Sequence, residues 1–163
     1  MDIRFETLKN SDLTEVKKIY DQYIINTTVT FHTRPVSIEE LKQFICIDHP
    51  RYKSYLILCD DNMAGYCYLS CYKNREAYDR TAEIAIYLKS EYCGKGIGQM
   101  AFRYLEEEAQ KVGLKNIIGN VTGSNRESMA LFEKLGYTQC ARFKNIGEKF
   151  GSLLDVVSYQ KEL

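Results

Sequence analysis

The sequence Tyr92-Cys93-Gly94-Lys95-Gly96-Ile97-Gly98 follows an apolar run at residues 84–88 and opens a helical pattern that reaches Val112. Its three glycines, at alternate positions, allow backbone N–H groups to turn toward one point without obstruction by a Cβ atom. The first turn of a helix carries unpaired N–H groups and the positive end of the helix dipole, which together favour an anion. A strand, a glycine turn and a helix start therefore predict a seat for a phosphate or pyrophosphate group.

The residues around this turn exclude two common nucleotide-binding motifs. A P-loop has a glycine five positions before its Gly-Lys pair and a Ser or Thr after it, whereas this chain has Lys89 and Gly96 at those places. A dinucleotide fingerprint needs a glycine where Gln99 stands and an acidic residue about twenty positions further on. Residues 115–119 contain no acidic side chain, so neither motif explains the turn.

Length and composition set the class of the protein. The chain has 163 residues, 45% of them hydrophobic, so we expect one domain at residues 1–163 with a substantial core. Its 22 basic and 22 acidic residues balance, so no overall charge attracts nucleic acid or anionic lipid. No apolar run approaches the length that crosses a bilayer, and the amino terminus lacks the order of a signal peptide. We therefore expect a cytoplasmic protein whose partners include neither nucleic acid nor membrane.

The six cysteines show no spacing typical of a disulfide framework. A zinc site would need a further Cys/His pair at short spacing, whereas His32 and His49 stand alone. We therefore expect free thiols and no metal site, and neither histidine is assigned a role.

Hydrophobic periodicity and turn residues divide the chain into eleven elements in the order βααβββαβαββ. Strands are predicted at residues 3–8, 55–59, 64–71, 81–89, 116–122, 137–144 and 153–160, and helices from Leu13, Ser37 and Gly98 and after Asn125. The helix at Ser37 has a capping box and is expected to include Phe44 and Ile45. This order, without repeats or linkers, predicts an α/β layered domain.

The element order, the glycine turn and the segment Asn125–Tyr137 resemble the GCN5-related N-acetyltransferase (GNAT) superfamily. In that family the turn reads Gln/Arg-x-x-Gly-x-Gly/Ala and holds the pyrophosphate of coenzyme A; Gly96 and Gly98 match it, and Cys93 stands where Gln or Arg is usual. The resemblance implies a mixed, mostly antiparallel sheet of six to seven strands with helices on both faces. It also implies acetyl-CoA as cofactor, bound by Ile86, Tyr87, Leu88, Cys93, Gly94, Lys95, Gly96, Ile97, Gly98, Gln99 and Asn125.

A closer resemblance is to the phosphinothricin and methionine sulfoximine acetyltransferases. Four stretches carry it: residues 27–31, 72–79, 81–88 and 147–156. The resemblance implies an N-acetyltransferase that transfers acetyl to the primary amine of a small amino-acid-like substrate. Direct attack in a ternary complex is expected because no cysteine has a recognisable base partner. Relatives commonly form homodimers, and we expect the same here.

Glu83 is the candidate general base. An amine arrives mostly as ammonium and must lose a proton before it attacks a thioester, and an ordinary glutamate has a pKa of about 4.3. Burial or a relay water can close that gap, because desolvation raises the pKa of a carboxyl group. Glu83 shares a strand face with Ala85 and Tyr87. The alternative is a glutamate that faces solvent at a sheet edge.

The resemblance also implies a substrate-binding loop. Lys73 and Arg75, beside Tyr72 and Tyr78, lie where relatives contact substrate, and a cationic fork suits a carboxylate. Phe31 is expected to wall the same pocket. The alternative for each of these side chains is an exposed, purely structural position.

Phe132 departs from the family, in which a tyrosine or histidine at this place acts as acid for the departing thiolate. General acid catalysis usually contributes about 10²–10⁴-fold. A thiol with a pKa near 8.5 already leaves readily at neutral pH, so water or a tyrosine such as Tyr137 or Tyr159 can serve. Two other functions stay open: a catalytically weak acyl-CoA-binding or regulatory domain, and a protein or peptide N-acetyltransferase.

Overall fold

The computed structural model describes every residue from Met1 to Leu163. Its strands are β1 (Ile3–Thr7), β2 (Ser54–Cys59), β3 (Asn62–Cys71), β4 (Thr81–Leu88), β5 (Asn116–Thr122), β6 (Thr138–Lys149) and β7 (Ser152–Glu162). Its helices are α1 (Leu13–Asn26), α2 (Ile38–Leu41), α3 (Ile97–Lys111) and α4 (Arg126–Lys134). The predicted order of the eleven elements is confirmed.

The seven strands form one sheet in the order β1-β2-β3-β4-β5-β7-β6. All neighbouring strands are antiparallel except β4 and β5, which are parallel. The predicted α/β class with a mixed, mostly antiparallel sheet is therefore confirmed. A right-handed crossover through a helix is the usual way to join parallel strands, and α3 supplies the helix between β4 and β5.

Helices cover both faces of this sheet, as expected. Helices α3 and α4 pack on one face, where the larger apolar cluster includes Ile97, Leu105, Phe132, Ile117 and Val157. Helix α1 and the segment around α2 pack on the other face, where the second cluster includes Leu13, Ile24, Leu41, Tyr66 and Tyr68. Alternation along β3 places Tyr66 and Tyr68 in one cluster and Cys67 and Leu69 in the other.

Two predicted element boundaries were wrong. Helix α2 ends at Leu41, so Phe44 and Ile45 lie beyond it. The N–H groups of Gln43 and Phe44 donate to carbonyls three residues back, and this tightening stops the helix. Strand β6 continues to Lys149, five residues past the predicted end. Register shifts between Phe143 and Gly147 let β6 pair with β7 beyond the predicted end.

The sheet divides in its centre. β4 and β5 pair only through Thr81–Glu83 and Asn116–Ile118. Beyond Glu83, β4 stays paired with β3 as far as Leu88, and β5 stays paired with β7 as far as Thr122. The two strands therefore separate, and the β5-facing edge of residues 84–88 has no strand partner.

Candidate active site

The gap between β4 and β5 is the larger of two cavities that meet at Glu83. Its volume is about 380 Å³, and the six consecutive β4 residues from Glu83 to Leu88 form one of its walls. The opposite wall comes from the end of β5 and from α4, and Cys93 and Gly98 close the end nearest to α3. Because unpaired strand edges bind extended chains through backbone hydrogen bonds, this cavity can hold a long polar ligand alongside residues 84–88.

The glycine turn lies at one end of this cavity. Gly94 and Gly96 have φ angles of +73° and +81°, in the left-handed region that glycine adopts without steric cost. Gly96 is the N-cap of α3 and has no side chain to bond the first-turn N–H groups. Apart from the adjoining backbone, no atom lies within 4 Å of where a Cβ of either residue would be. The N–H groups of Ile97, Gly98 and Gln99 therefore remain available to an anion.

Three side chains surround the turn. Cys93 is exposed, and its thiol donates to the Lys89 carbonyl at 3.6 Å. The hydroxyl of Tyr23, on α1, donates to the Leu88 carbonyl at 2.5 Å, and burial together with the nearby Cys93 thiol raises the pKa of Tyr23 to about 12. The Lys95 ammonium lies 5.6 Å from the centre of the Tyr92 ring. The lysine is thus held at the turn, where its charge adds to the attraction for an anion.

Asn125 caps α4, as predicted. Its side-chain oxygen accepts from the N–H of Ser128 at 3.2 Å. Asn125 and Ser128 both line the larger cavity. The Asn125 amide group therefore faces the cavity and orders the first turn of α4 at the same time.

Glu83 is the last residue of β4 that pairs with β5, and the two strands separate beyond it. It is partly buried, and this burial raises the pKa of its carboxyl group, while a hydrogen bond from Asn120 opposes the rise. Asn120 donates through Nδ2 to Glu83 Oε1 at 3.0 Å and accepts through Oδ1 from the Ser158 hydroxyl at 2.6 Å. Because a carboxylate only accepts hydrogen bonds, Glu83 requires the Nδ2 side of the amide, and Ser158 holds the Oδ1 side, so the amide and the carboxylate orient each other.

A second cavity, of about 310 Å³, lies on the face of the sheet that α1 covers. It shares Glu83 and Tyr68 with the larger cavity. The rest of its wall consists of Tyr20, His32, Gln43, Phe44, Cys46, Ser70 and Cys71. One carboxylate therefore borders two cavities, the arrangement required of a base that acts between two bound molecules.

Phe132 lines the larger cavity, but its side chain has no acidic proton to donate. Its ring is stacked on Tyr159 at 5.1 Å and meets Phe102 and Tyr137 edge-on. Tyr137 and Tyr159 do not line this cavity. The Tyr159 hydroxyl donates to Glu133 at 3.0 Å, and the Tyr137 hydroxyl is buried without a partner. The tyrosines that do line it are Tyr23, Tyr68 and Tyr87.

The predicted substrate-binding side chains lie outside both cavity walls. Tyr72 and Tyr78 meet edge-on at 5.6 Å, and the Lys73 ammonium lies 5.4 and 5.7 Å from their ring centres. This loop and the exposed Arg75 follow Cys71, which is part of the second cavity wall. The ring of Phe31 lies against Gly147, and its neighbour Val29 lines the larger cavity instead.

Sequence reasoning missed three residues of the site: Tyr23, Asn120 and His32. Each is joined to the site by a contact that spans 65, 37 or 12 residues, respectively. In the sequence His32 stands alone, and no local motif marks Tyr23 or Asn120. No group of His, Cys, Asp or Glu side chains is arranged to hold a metal ion, and no helix is long and apolar enough to cross a membrane.

Comparison with known proteins identifies the domain. Residues 5–157 match the family model described as an acetyltransferase (GNAT) domain. The phosphinothricin N-acetyltransferase of Streptomyces coelicolor is 26% identical over 93% of this chain and 91% of its own. The L-methionine sulfoximine/L-methionine sulfone acetyltransferase of Pseudomonas paraeruginosa is 27% identical over 94% of this chain and 90% of its own.

A solved structure extends the similarity to the whole fold. The GNAT superfamily phosphinothricin acetyltransferase of Sinorhizobium meliloti, solved in complex with acetyl-CoA, superposes with a TM-score of 0.92. It is 28% identical, and the match covers 100% of this chain and 89% of that one. With the domain match over nearly the whole length, this chain belongs to the GNAT acetyltransferase family and is an acyltransferase.

Proposed function

We propose that this protein is an acetyl-CoA-dependent N-acetyltransferase, a single domain that acetylates the primary amine of a small amino-acid-like substrate of the phosphinothricin or methionine sulfoximine type. The observation that carries the proposal is the position of Glu83, a partly buried carboxylate at the junction of two cavities. The names of the relatives support the substrate class.

The larger cavity fits the coenzyme in two respects. The open edge of β4 offers backbone groups to an extended pantetheine arm. The glycine turn offers the N–H groups of Ile97, Gly98 and Gln99, with Lys95 beside them, to the pyrophosphate. Asn125 faces the same cavity from α4. When bound there, acetyl-CoA supplies the thioester that is attacked.

Glu83 performs the proton transfer in this proposal. Its raised pKa makes the carboxylate a better base than an exposed glutamate, and Asn120 keeps it oriented. The ammonium group of the acceptor binds next to Glu83 in the second cavity and gives one proton to the carboxylate, directly or through water, and the amine then attacks the thioester. The nitrogen loses its second proton to water as the C–S bond breaks and the thiolate leaves. N–H groups on the open edge of residues 84–88 are available to the negative charge that develops on the acetyl oxygen.

The thiolate leaves without a protein acid at position 132. Phe132 has no acidic proton, and Tyr137 and Tyr159 do not line the cavity. Because a thiol with a pKa near 8.5 is a reasonable leaving group at neutral pH, water suffices to protonate it. Cys93 has no neighbouring base and lies at the pyrophosphate end, so it takes no part in the transfer.

The acceptor is placed by the second cavity and by the loop that follows Cys71. Aromatic rings of Tyr20, Phe44 and Tyr68 wall the cavity, and Lys73 and Arg75, in the loop that follows Cys71 of this wall, supply cations for a carboxylate. A pocket of this size suits a free amino acid better than a peptide.

Thiol release from acetyl-CoA, measured across phosphinothricin, L-methionine sulfone, simple amines and peptides, tests this function. We expect release that depends on the amino-acid-like amines. Tight binding of coenzyme A without amine-dependent release would favour a binding or regulatory domain instead, and release with peptides alone would favour a protein N-acetyltransferase.

We also propose that the protein is a cytoplasmic homodimer. Exposed apolar side chains on and near the β6–β7 hairpin support the dimer: Phe143, Ile146, Phe150 and Leu153 are each at least 48% exposed. Contiguous exposed apolar surface usually marks an interface. All six cysteines are free, which suits a reducing compartment.

A further inference from the structure

The second cavity contains a polar group that the proposed chemistry does not use. Its wall holds one carboxylate, Glu83, and no lysine or arginine. His32 is the one side chain of the wall that can carry a positive charge. It lies in the segment between α1 and α2 and is exposed to solvent.

The imidazole of His32 is held in a defined orientation. Its Nδ1 lies 2.6 Å from the Tyr20 hydroxyl. The Tyr20 and His32 rings meet edge-on at 5.6 Å, and the Phe44 ring is stacked with His32 at 6.0 Å. Because Nδ1 is occupied by Tyr20, Nε2 is the ring nitrogen that can bond a ligand.

The backbone that carries His32 is fixed by three other elements. The Thr30 hydroxyl lies 2.6 Å from the Tyr20 hydroxyl on α1, and the Thr30 carbonyl accepts from Lys149 on β6 at 2.8 Å. The Thr28 carbonyl accepts from the Thr122 hydroxyl at the end of β5 at 2.5 Å. A ligand therefore meets an imidazole whose position is set before binding.

We propose that His32 determines the specificity of the acceptor subsite in the second cavity by donating a hydrogen bond from Nε2–H to an oxygen on the acceptor's side chain. The chemical class is a sulfone, sulfoximine or phosphinyl group. This proposal rests on the proposed function.

Two features favour this assignment. When Tyr20 donates to Nδ1, the neutral imidazole carries its proton on Nε2 and donates from there to an oxygen acceptor. His32 contacts Tyr20 and Phe44, whereas the loop with Lys73 and Arg75 leaves from Cys71. An amino acid with its amine at Glu83 can direct its carboxylate toward the loop and its side chain toward His32.

Calorimetric titration of the coenzyme A-saturated protein with L-methionine sulfone and with L-methionine tests the proposal. The two ligands differ by the oxygens on sulfur. For His32→Ala we expect the Kd of the sulfone to rise about five- to tenfold, as for a lost hydrogen bond, while the Kd of methionine changes less than twofold. His32→Gln, which keeps a donor, is expected to retain most of the affinity. Thr33→Ala, one residue further on and outside both cavity walls, serves as the matched control and should leave both Kd values unchanged.

The proposal fails if His32→Ala weakens both ligands equally, if it weakens neither, or if the wild-type protein binds no sulfone. These outcomes are independent of catalysis. Failure of the proposed function is recognised separately, as absence of amine-dependent thiol release from acetyl-CoA by the wild-type protein.

Discussion

Replacing Glu83 by glutamine is expected to lower kcat about 10²-fold while leaving the Kd of coenzyme A unchanged. A positioned general base contributes about 10²–10⁴-fold. The lower end applies here because the carboxylate borders a cavity that opens to solvent and its partner Asn120 is exposed, so water can replace part of its action. A factor of 10² corresponds to about 2.7 kcal/mol of transition-state stabilisation. Glutamine keeps the shape of the side chain, so binding of the coenzyme should be unaffected.

The assay is thiol release as a function of pH. Burial raises the pKa of Glu83, so the wild-type kcat/KM is expected to fall on acidification at a higher pH than an ordinary glutamate would give, and Glu83→Gln should lack that acid limb. Asn120→Ala removes the hydrogen bond that lowers the pKa, so its acid limb should move further up.

The matched control is Glu127→Gln, which alters another carboxylate of the same cavity wall and should keep kcat within about threefold. The reasoning is refuted if Glu83→Gln also keeps kcat within threefold, or if that variant retains the acid limb of the wild type.

Three further outcomes are expected. Because the pKa of Glu83 is raised in the folded state, the folded protein binds more protons than the unfolded chain at pH values between the ordinary and the raised pKa. The free energy of unfolding therefore falls as the pH rises through that window. In urea unfolding from pH 4 to 7, the stability of Glu83→Gln relative to wild type should increase as the pH rises. Gly119→Ala should lower the free energy of unfolding by about 1–3 kcal/mol, because its Cβ would overlap the Phe132 ring; an unchanged urea midpoint would contradict this. Phe132→Tyr should raise kcat by at most about 10²-fold, because it restores an acid to the cavity wall; thiol release under single-turnover conditions measures the gain.

Local patterns in the sequence were sufficient to predict most of the fold. The capping box between Ser37 and Glu40 forms, with both reciprocal hydrogen bonds, because it depends on residues three positions apart. Gly113 and Gly136 follow α3 and α4 with positive φ angles, as helix-ending glycines do. Boundaries were missed where they depend on bonding that spacing does not reveal, as in the tightened turn after Leu41.

The site was less predictable because its contacts are remote in sequence. The glycine turn and Glu83 are predicted from the sequence, since each lies on one element and has a local pattern. The hydrogen bonds that hold residues 27–32 in place are not predictable in this way, because Lys149 and Thr30 are 119 residues apart in sequence and Thr122 and Thr28 are 94 apart. Such contacts leave no periodic pattern in the sequence, in which His32 stands alone.

The short pairing between β4 and β5 has a mechanical consequence. Strands β1–β4 and β5–β7 are joined only by the ladder of three residues on β4 and three on β5, so the sheet behaves as two half-sheets with a short connection. The bonds from Thr122 to Thr28 and from Lys149 to Thr30 connect the two half-sheets on the side where β4 and β5 separate. A ligand lying along residues 84–88 and touching Asn125 would act as a second bridge. Slow hydrogen exchange of the backbone amides in the β4–β5 ladder would then report how fully the cleft is filled by ligand.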